Sequence, residues 1–241
     1  MAIYTSKIRI DLEDVGYSNK ITNKAILKIL ENAGARQSET IHFGLNDMEN
    51  VGFSWILLGW KVKILKRPIY NEELTINTWG RDSNRIFTYR DYEIYDESGE
   101  LCAIATSKWA IVDINTGKLR ELTPEIIEKY QCETKKVFEE DYTLKLKEPV
   151  TIIRKQEYKA QRRDIDINKH IHNLYYLDYA YEALPEEVYE APECNNIEIM
   201  YKKQIRLNDE FKCLYTKEEN QNIVTMKSED ENTLHAIIKL Y

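Results

Sequence analysis

An internal repeat limits the fold of this 241-residue chain more than any other feature of its sequence. Three pairs of segments match in the same order along the two halves: residues 14–23 with 164–173, 71–74 with 208–211, and 101–104 with 234–237. The numbering offset between the halves falls from 150 to 137 to 133. The halves therefore differ by loop insertions, and the sequence predicts a duplicated structural unit.

Each half is predicted to contain one long helix followed by antiparallel strands. The helices are expected over residues 23–40, where the apolar residues follow a helical stripe, and over 173–184. Segments rich in Ile, Val, Thr, Tyr and Trp predict the strands, at residues 4–12, 54–66, 73–78, 85–95, 101–112, 150–161 and 197–203. A helix followed by a meander indicates an α+β fold, because a parallel sheet would alternate helices and strands.

The predicted domains are residues 1–132 and 148–241, joined by a charged linker over 133–147. Hydrophobic residues make up 43% of the chain, which is enough for a sizeable core, and the net charge of -7 argues against nonspecific binding of nucleic acid. No apolar run reaches the length of about 18 residues that a spanning helix requires. The N-terminus reads directly as a strand, and the four cysteines are dispersed. A cytoplasmic protein without a metal site is expected.

The segment richest in chemically reactive side chains is residues 164–173. It holds two carboxylates, two imidazoles and two carboxamides just before the second helix. One interpretation is a polar turn that caps this helix. The first half provides an internal comparison, since Asp166, Asn168 and His170 stand where it has Gly16, Ser18 and Lys20. Only one copy carries acid, amide and imidazole groups together. This asymmetry favours one catalytic half and one half devoted to substrate binding.

The pattern Asp164-x-Asp-x-Asn-x-His-Ile-His-Asn173, followed by Tyr176 and Glu182, resembles the signature of the acyl-acyl-carrier-protein (acyl-ACP) thioesterases. The resemblance extends to the first half through Gly52-Phe-Ser-Trp55, Pro68-Ile-Tyr-Asn-Glu72, Thr78-Trp-Gly80 and Ser107-Lys-Trp109. It implies two tandem hotdog units, each a long helix wrapped by an antiparallel sheet, which form a double hotdog. The N-terminal unit is expected to bind the acyl chain, and the C-terminal unit to carry the catalytic residues.

The family's catalytic positions correspond to Asp166, Asn168 and His170 in this sequence. A further catalytic glutamate of the family, on the strand after the second helix, is replaced by Gln204, and a neighbouring cysteine by Ile205. The missing cysteine argues against a Cys/His/Asn mechanism, since Cys213 lies farther along the chain. Gln204 is therefore the weakest of the four predicted catalytic residues, and we expect it to orient water or substrate by hydrogen bonds.

The residues permit hydrolysis of a thioester by general-base catalysis. An imidazole has a reference pKa of about 6.5, so His170 suits the base. Asp166 is expected to orient His170 or Asn168, or to activate the water itself, and Asn168 offers an amide donor. Backbone N–H groups over residues 171–173 are a candidate oxyanion hole, because they lie at a helix start. His172 and Asp164 are expected to be structural.

The acyl slot implied by the resemblance is expected between helix and sheet of the first unit, lined by residues 51–59. The predicted lining residues are Val51, Phe53, Trp55 and Leu58. Most aromatic side chains of the chain are expected in the core, since they bury a large area.

The function that the resemblance implies is hydrolysis of fatty acyl-ACP, which releases free fatty acid. The partner is then acyl carrier protein bearing a 4'-phosphopantetheine acyl thioester, and no cofactor is needed. Two alternatives are an acyl-CoA thioesterase and, because Gln204 replaces the glutamate, a non-catalytic acyl-binding sensor. The basic residues near the motif fit either anionic carrier, and a homo-oligomer is compatible with the sequence.

Overall fold

The protein forms two compact units, residues 1–142 and 143–241. A computed structural model describes residues 3–81, 85–139, 145–190 and 194–241. The predicted linker covers 133–147, and its residues 140–144 lie outside the described residues. The domain limits of 1–132 and 148–241 remain predictions.

In the first unit, one long helix packs on an antiparallel sheet. Its elements, in chain order, are β1 (Tyr4–Arg9), α1 (Asn23–Thr40), α2 (Met48–Val51), β2 (Phe53–Ile64), β3 (Glu73–Gly80), β4 (Thr88–Tyr95), β5 (Leu101–Asp113), β6 (Leu119–Arg120) and α3 (Pro124–Tyr130). The strand order is β1-β3-β4-β5-β2, and β6 pairs with β5. Ile26, Leu27 and Leu30 of α1 are fully buried, as are Trp60 and Trp79 of the sheet. The helix therefore uses its apolar stripe to cover the sheet.

The second unit repeats this plan with a shorter helix. Its elements are β7 (Arg154–Lys159), α4 (Asn173–Glu182), α5 (Glu186–Tyr189), β8 (Asn196–Tyr201), β9 (Glu210–Glu218), β10 (Gln221–Ser228) and β11 (Leu234–Leu240). The strand order is β8-β11-β10-β9-β7, again antiparallel throughout. Tyr176, Leu177 and Ala180 form the buried face of α4. The predicted α+β class is confirmed.

A single turn of the same construction precedes the long helix of each unit. The Thr22 amide donates to the Asp14 carbonyl at 2.9 Å, and the His172 amide donates to the Asp164 carbonyl at the same distance. One residue of each turn has a positive φ: Asn19 at 60° and Lys169 at 64°. The structure thus confirms the predicted correspondence of residues 14–23 with 164–173.

Several element bounds differ from the sequence prediction, although α1 runs over the predicted residues. The first strand ends at Arg9 rather than residue 12, because the chain enters a 3-10 turn at Leu12–Asp14. The strand predicted from residue 150 begins only at Arg154. These differences lie at element ends, where a polar side chain such as that of Asp14 bonds the backbone and ends the ladder.

Candidate active site

In the turn before α4, backbone hydrogen bonds hold residues Asp166 and His170 next to each other. The Asp166 amide donates to the His170 carbonyl at 2.9 Å, while one Asp166 carboxylate oxygen accepts from the amides of Asn168 (2.8 Å) and His170 (3.4 Å). In the first unit, the Gly16 amide makes the same closing bond to the Lys20 carbonyl at 3.0 Å. That turn closes without a carboxylate at the position of Asp166, which Gly16 occupies. The turn conformation therefore does not by itself explain Asp166.

His170 is partly buried and pairs with Arg206 in a short antiparallel bridge. Burial lowers the pKa of its imidazole below the ordinary value of 6.5, and the charge of Arg206 acts in the same direction. The carboxylates of Asp166 and Asp209 oppose this shift. A lowered pKa keeps the imidazole neutral near pH 7, which is the form that accepts a proton.

Asn168 and Gln204 are both exposed, one in the turn and one in the connection between β8 and β9. The expectation that position 204 lies on a strand is wrong, because β8 ends at Tyr201. After Tyr201 the chain leaves the ladder, and the Ile205 amide donates to the Tyr176 hydroxyl at 3.2 Å. The Ile205 carbonyl accepts from the Ile171 amide at 2.8 Å, so this connection is fastened next to the turn.

The amides at the start of α4 are used differently from the sequence prediction. The Ile171 amide donates to Ile205, and the His172 amide donates to Asp164, so neither is free to form an oxyanion hole. His172 is the N-cap residue, as expected, and its Nδ1 accepts from the Leu174 amide at 3.3 Å. Asn173 is the first helical residue, where the helix itself supplies no acceptor for the amide.

Asp164 is structural, as the sequence predicted. It is buried, its Oδ2 accepts from the Gln161 amide at 2.8 Å, and the Tyr179 hydroxyl donates to the same oxygen at 2.6 Å. Cys213 lies buried in β9, and burial raises the pKa of its thiol. A buried thiol with a raised pKa is a poor nucleophile, which agrees with the argument against a cysteine mechanism.

Sequence reasoning missed the pairing of Arg206 with His170. The pairing is repeated between the units: Lys20 pairs with Ile69 in the first unit, and the offsets of 150 and 137 carry these positions to His170 and Arg206. The sequence alone carries no signal for it, because neither bridge can be read from the linear chain. Four exposed cations lie in the turn and in the connection between β8 and β9, and we call them the basic cluster: Lys169, Lys202, Lys203 and Arg206. This surface suits an anionic ligand.

Of the four predicted acyl-binding residues, three lie at one aromatic cluster and Leu58 does not. Phe53 and Trp55 belong to an aromatic cluster with Phe43 and Tyr130, in which the Trp55 and Tyr130 rings meet edge to face at 5.6 Å. Val51 packs against the same cluster. Leu58 does not, because the register of β2 with β5 shifts between Leu57 and Gly59 and Leu58 is the extra residue of a bulge.

Two further properties of the described ranges bear on the site. No helix there combines the length and apolar character needed to cross a bilayer. Across the same ranges, no group of three or more His, Cys, Asp or Glu side chains is placed to hold a metal ion.

Comparison with known proteins shows that both units match models of one family. The model of the acyl-ACP thioesterase N-terminal domain matches residues 1–130, and that of the C-terminal domain matches residues 147–239. Among solved structures, an acyl-ACP thioesterase from Bacteroides thetaiotaomicron superposes with a TM-score of 0.86 at 23% identity, covering 99% of this chain and 97% of that one. The 12:0-ACP thioesterase from Umbellularia californica gives 0.84 at 16% identity, covering 100% and 96%.

Among curated relatives, the chloroplastic oleoyl-acyl carrier protein thioesterase 2 of Arabidopsis thaliana is 25% identical over 238 residues. That alignment covers 92% of this chain and 65% of the relative, so the chain spans somewhat less than two thirds of the relative's length. The predicted fold of two tandem hotdog units is confirmed by the superpositions. The chain belongs to the acyl-ACP thioesterase family.

Proposed function

We propose that this protein hydrolyses the thioester of fatty acyl-ACP and releases free fatty acid, and that it does so in the cytoplasm. The observation that carries the proposal is the duplicated turn. Both units build it with the same backbone bonds, yet only the second adds Asp166, Asn168 and His170. A purely structural turn gives no reason for this difference. Membership of the family supplies the reaction class.

His170 is the general base in this proposal. Its neutral imidazole takes a proton from water, the hydroxide attacks the thioester carbonyl carbon, and a tetrahedral intermediate forms. Breakdown of the intermediate breaks the carbon–sulfur bond, and the imidazolium returns the proton to the leaving thiolate. Asp166 stabilises the imidazolium by its charge, in keeping with the upward pull it exerts on the pKa of His170.

The oxyanion requires donors that the turn has not already used. Because the Ile171 and His172 amides are engaged, we assign this role to the Asn168 carboxamide and the Asn173 amide. Gln204 lies in the connection that pairs with the turn, and we propose that its carboxamide orients the attacking water. A glutamine cannot serve as a base, so the mechanism relies on one base.

The carrier is proposed to be acyl carrier protein. The basic cluster offers four exposed cations to the phosphate of 4'-phosphopantetheine and to acidic side chains of the carrier. Three other basic residues of the same region are engaged elsewhere: Arg154 donates to the Leu184 carbonyl, Lys155 pairs with Glu231 and Lys159 pairs with Glu210. The first unit is proposed to receive the acyl chain beside Val51, Phe53 and Trp55.

Steady-state kinetics on the same acyl group, attached either to acyl carrier protein or to CoA, tests this function. We expect a higher kcat/KM on acyl-ACP than on the matching acyl-CoA, and loss of both activities in His170→Ala. His42→Ala is the matched control, since the His42 side chain is 83% exposed and lies in the other unit. Preference for the CoA ester would identify the enzyme as an acyl-CoA thioesterase.

A non-catalytic acyl-binding protein is the second candidate, favoured by Gln204. It predicts binding of acyl-ACP without turnover. Isothermal titration beside the hydrolysis assay separates the two, because a catalytically inactive binder would give a stable complex and no free fatty acid.

A further inference from the structure

His235 is the extra residue of a bulge in β11. The pairing of β10 with β11 includes Leu234 and Ala236 but skips His235 between them. The pairing of β4 with β5 skips Cys102 in the same way, and the repeat aligns Cys102 with His235. Bulges redirect a side chain and are frequent next to active sites. The two units therefore have a bulge at the same place, with Cys102 in the first unit and His235 in the second.

The backbone carbonyls of the two bulge residues accept equivalent hydrogen bonds. The Cys102 carbonyl accepts from the Leu65 amide at 2.7 Å, and the His235 carbonyl accepts from the Lys202 amide at 2.8 Å. Leu65 and Lys202 are corresponding residues at the offset of 137. In each unit, the bulge thus fastens the connection that follows the neighbouring strand, which runs from β2 to β3 in the first unit and from β8 to β9 in the second.

Within the described residues, only the second unit adds a bond from the bulge side chain to the connection. The His235 imidazole is buried, and its Nδ1 lies 2.8 Å from the Lys203 carbonyl oxygen. A carbonyl only accepts, so Nδ1 carries the proton and donates. The Cys102 thiol instead contacts the carbonyl of Glu100, the residue just before β5, at 3.5 Å.

The first unit secures its connection by a different side chain. Arg67 donates to the Ile21 carbonyl at 2.9 Å and to the Asn23 carboxamide oxygen at 2.7 Å, which ties the connection to the start of α1. The repeat places Gln204 at the position of Arg67. Within the described residues, Gln204 makes no such bond to the start of α4. In the second unit, the side-chain bond to the connection comes from His235 of β11 instead.

The anchored connection is the one that meets the catalytic turn. Ile205 accepts from the Ile171 amide at 2.8 Å, and Arg206 pairs with His170. A displacement of residues 202–206 would move Arg206 and the turn together. Misplacement by about 1 Å is enough to cost an enzyme much of its rate.

We propose that His235 is a positioning residue for thioester hydrolysis: by holding the Lys203 carbonyl, it keeps Gln204 and Arg206 beside the turn that carries His170. It contacts no reacting atom. The proposal rests on the proposed function for its catalytic consequence, but the bond from His235 has a readout that needs no substrate.

The test compares His235→Ala with His235→Asn and with Cys102→Ala. The asparagine carboxamide retains a donor close to the position of Nδ1, and Cys102→Ala is the matched change in the bulge of the other unit. Two quantities are measured on the full chain: kcat and KM on acyl-ACP, and the hydrogen-exchange rate of the Ile171 amide, which reports the bond to Ile205.

We expect His235→Ala to lower kcat about 10-fold or more with little change in KM, and to speed exchange of the Ile171 amide. His235→Asn should restore both, and Cys102→Ala should change neither. If His235→Ala does not fold, His235→Gln replaces it, since its donor lies one bond too far out to repeat the Nδ1 contact.

Unchanged kcat or unchanged Ile171 exchange in a folded His235→Ala protein overturns the proposal. Equal effects from Cys102→Ala also overturn it, because the bulge would then act only on overall stability. If the unmodified chain hydrolyses no acyl-ACP, the proposed function fails, and the exchange data alone decide whether His235 fastens the connection.

Discussion

In the proposed mechanism, Asp166 combines a structural and a chemical role, which one substitution can separate. In Asp166→Asn, the carboxamide oxygen still accepts from the Asn168 and His170 amides, while the negative charge is lost. We therefore expect near-normal stability and a loss of kcat of about 100-fold or more, in the range of a lost acid–base partner. Thermal unfolding and steady-state kinetics measure the two effects. A variant with full kcat would contradict the role of the charge.

The base assigned to His170 predicts a specific pH dependence. Burial lowers the pKa of the imidazole below 6.5, so the neutral form persists to lower pH than in a free histidine. The acidic limb of kcat/KM, measured on the free enzyme, is therefore expected to have its midpoint below 6.5. A midpoint above 6.5 would show that a group other than His170 controls this limb.

Gln204 stands where the catalytic pattern that this chain resembles has a glutamate. Gln204→Glu introduces a carboxylate into the connection that pairs with the turn, so a second base becomes available and kcat is expected to rise. Gln204→Ala is the companion change, and a fall in its kcat would show that the carboxamide itself contributes. Equal rates in all three proteins would place Gln204 outside the reaction.

At the level of elements, the two N-caps offer a matched pair. The Thr22 hydroxyl accepts from the Ala25 amide at 3.1 Å, and the His172 ring accepts from the Leu174 amide at 3.3 Å. We expect Thr22→Ala and His172→Ala each to reduce the free energy of unfolding by about 0.5–2 kcal/mol, which is the usual cost of a lost cap. Chemical denaturation measures this cost. Neither change should alter kcat in the folded enzyme, and a large kcat loss confined to His172→Ala would give this imidazole a catalytic role.

The aromatic cluster of the first unit predicts an effect on substrate length. Trp55 is only partly buried and meets Tyr130 edge to face, so Trp55→Phe shortens one wall of the cluster without emptying it. Longer acyl chains are expected to gain kcat/KM relative to shorter ones. Trp109→Phe is the control, because the Trp109 indole instead donates to the Ser107 hydroxyl at 2.7 Å. An identical length profile in wild type and Trp55→Phe would remove Trp55 from the acyl site.

At the scale of the whole molecule, two histidines link stability to pH: His170, which is partly buried, and His235, which is buried. Burial lowers the pKa of both His170 and His235 below 6.5. The unfolded chain then binds more protons than the folded one, so the free energy of unfolding falls as the pH decreases from about 6.5 and levels off below the folded-state pKa values.

His235→Asn removes one of these groups, and its stability should depend less on pH over this window than that of the wild type. Denaturation curves at several pH values provide the comparison. A parallel dependence in the two proteins would show that His235 does not titrate differently in the folded state.

The sequence by itself determined the duplicated α+β unit, the bounds of α1 and the grouping of Asp166, Asn168 and His170. These features follow from spacing within about ten residues or from repetition, and both are properties of the linear chain. The pairing of His170 with Arg206, in contrast, follows from the offsets only once the structure has shown that Lys20 pairs with Ile69.

Only the tertiary structure decided which backbone amides already have a hydrogen-bond partner and where the bulges redirect side chains. The Ile171 and His172 amides were expected to be free, yet partners from outside the helix occupy them. Leu58 and His235 are directed by bulges, which interrupt the alternation of side chains on which strand patterns depend. The bond from His235 to Lys203 joins residues 32 positions apart, and no local pattern specifies such a contact because its geometry depends on how the strands pair.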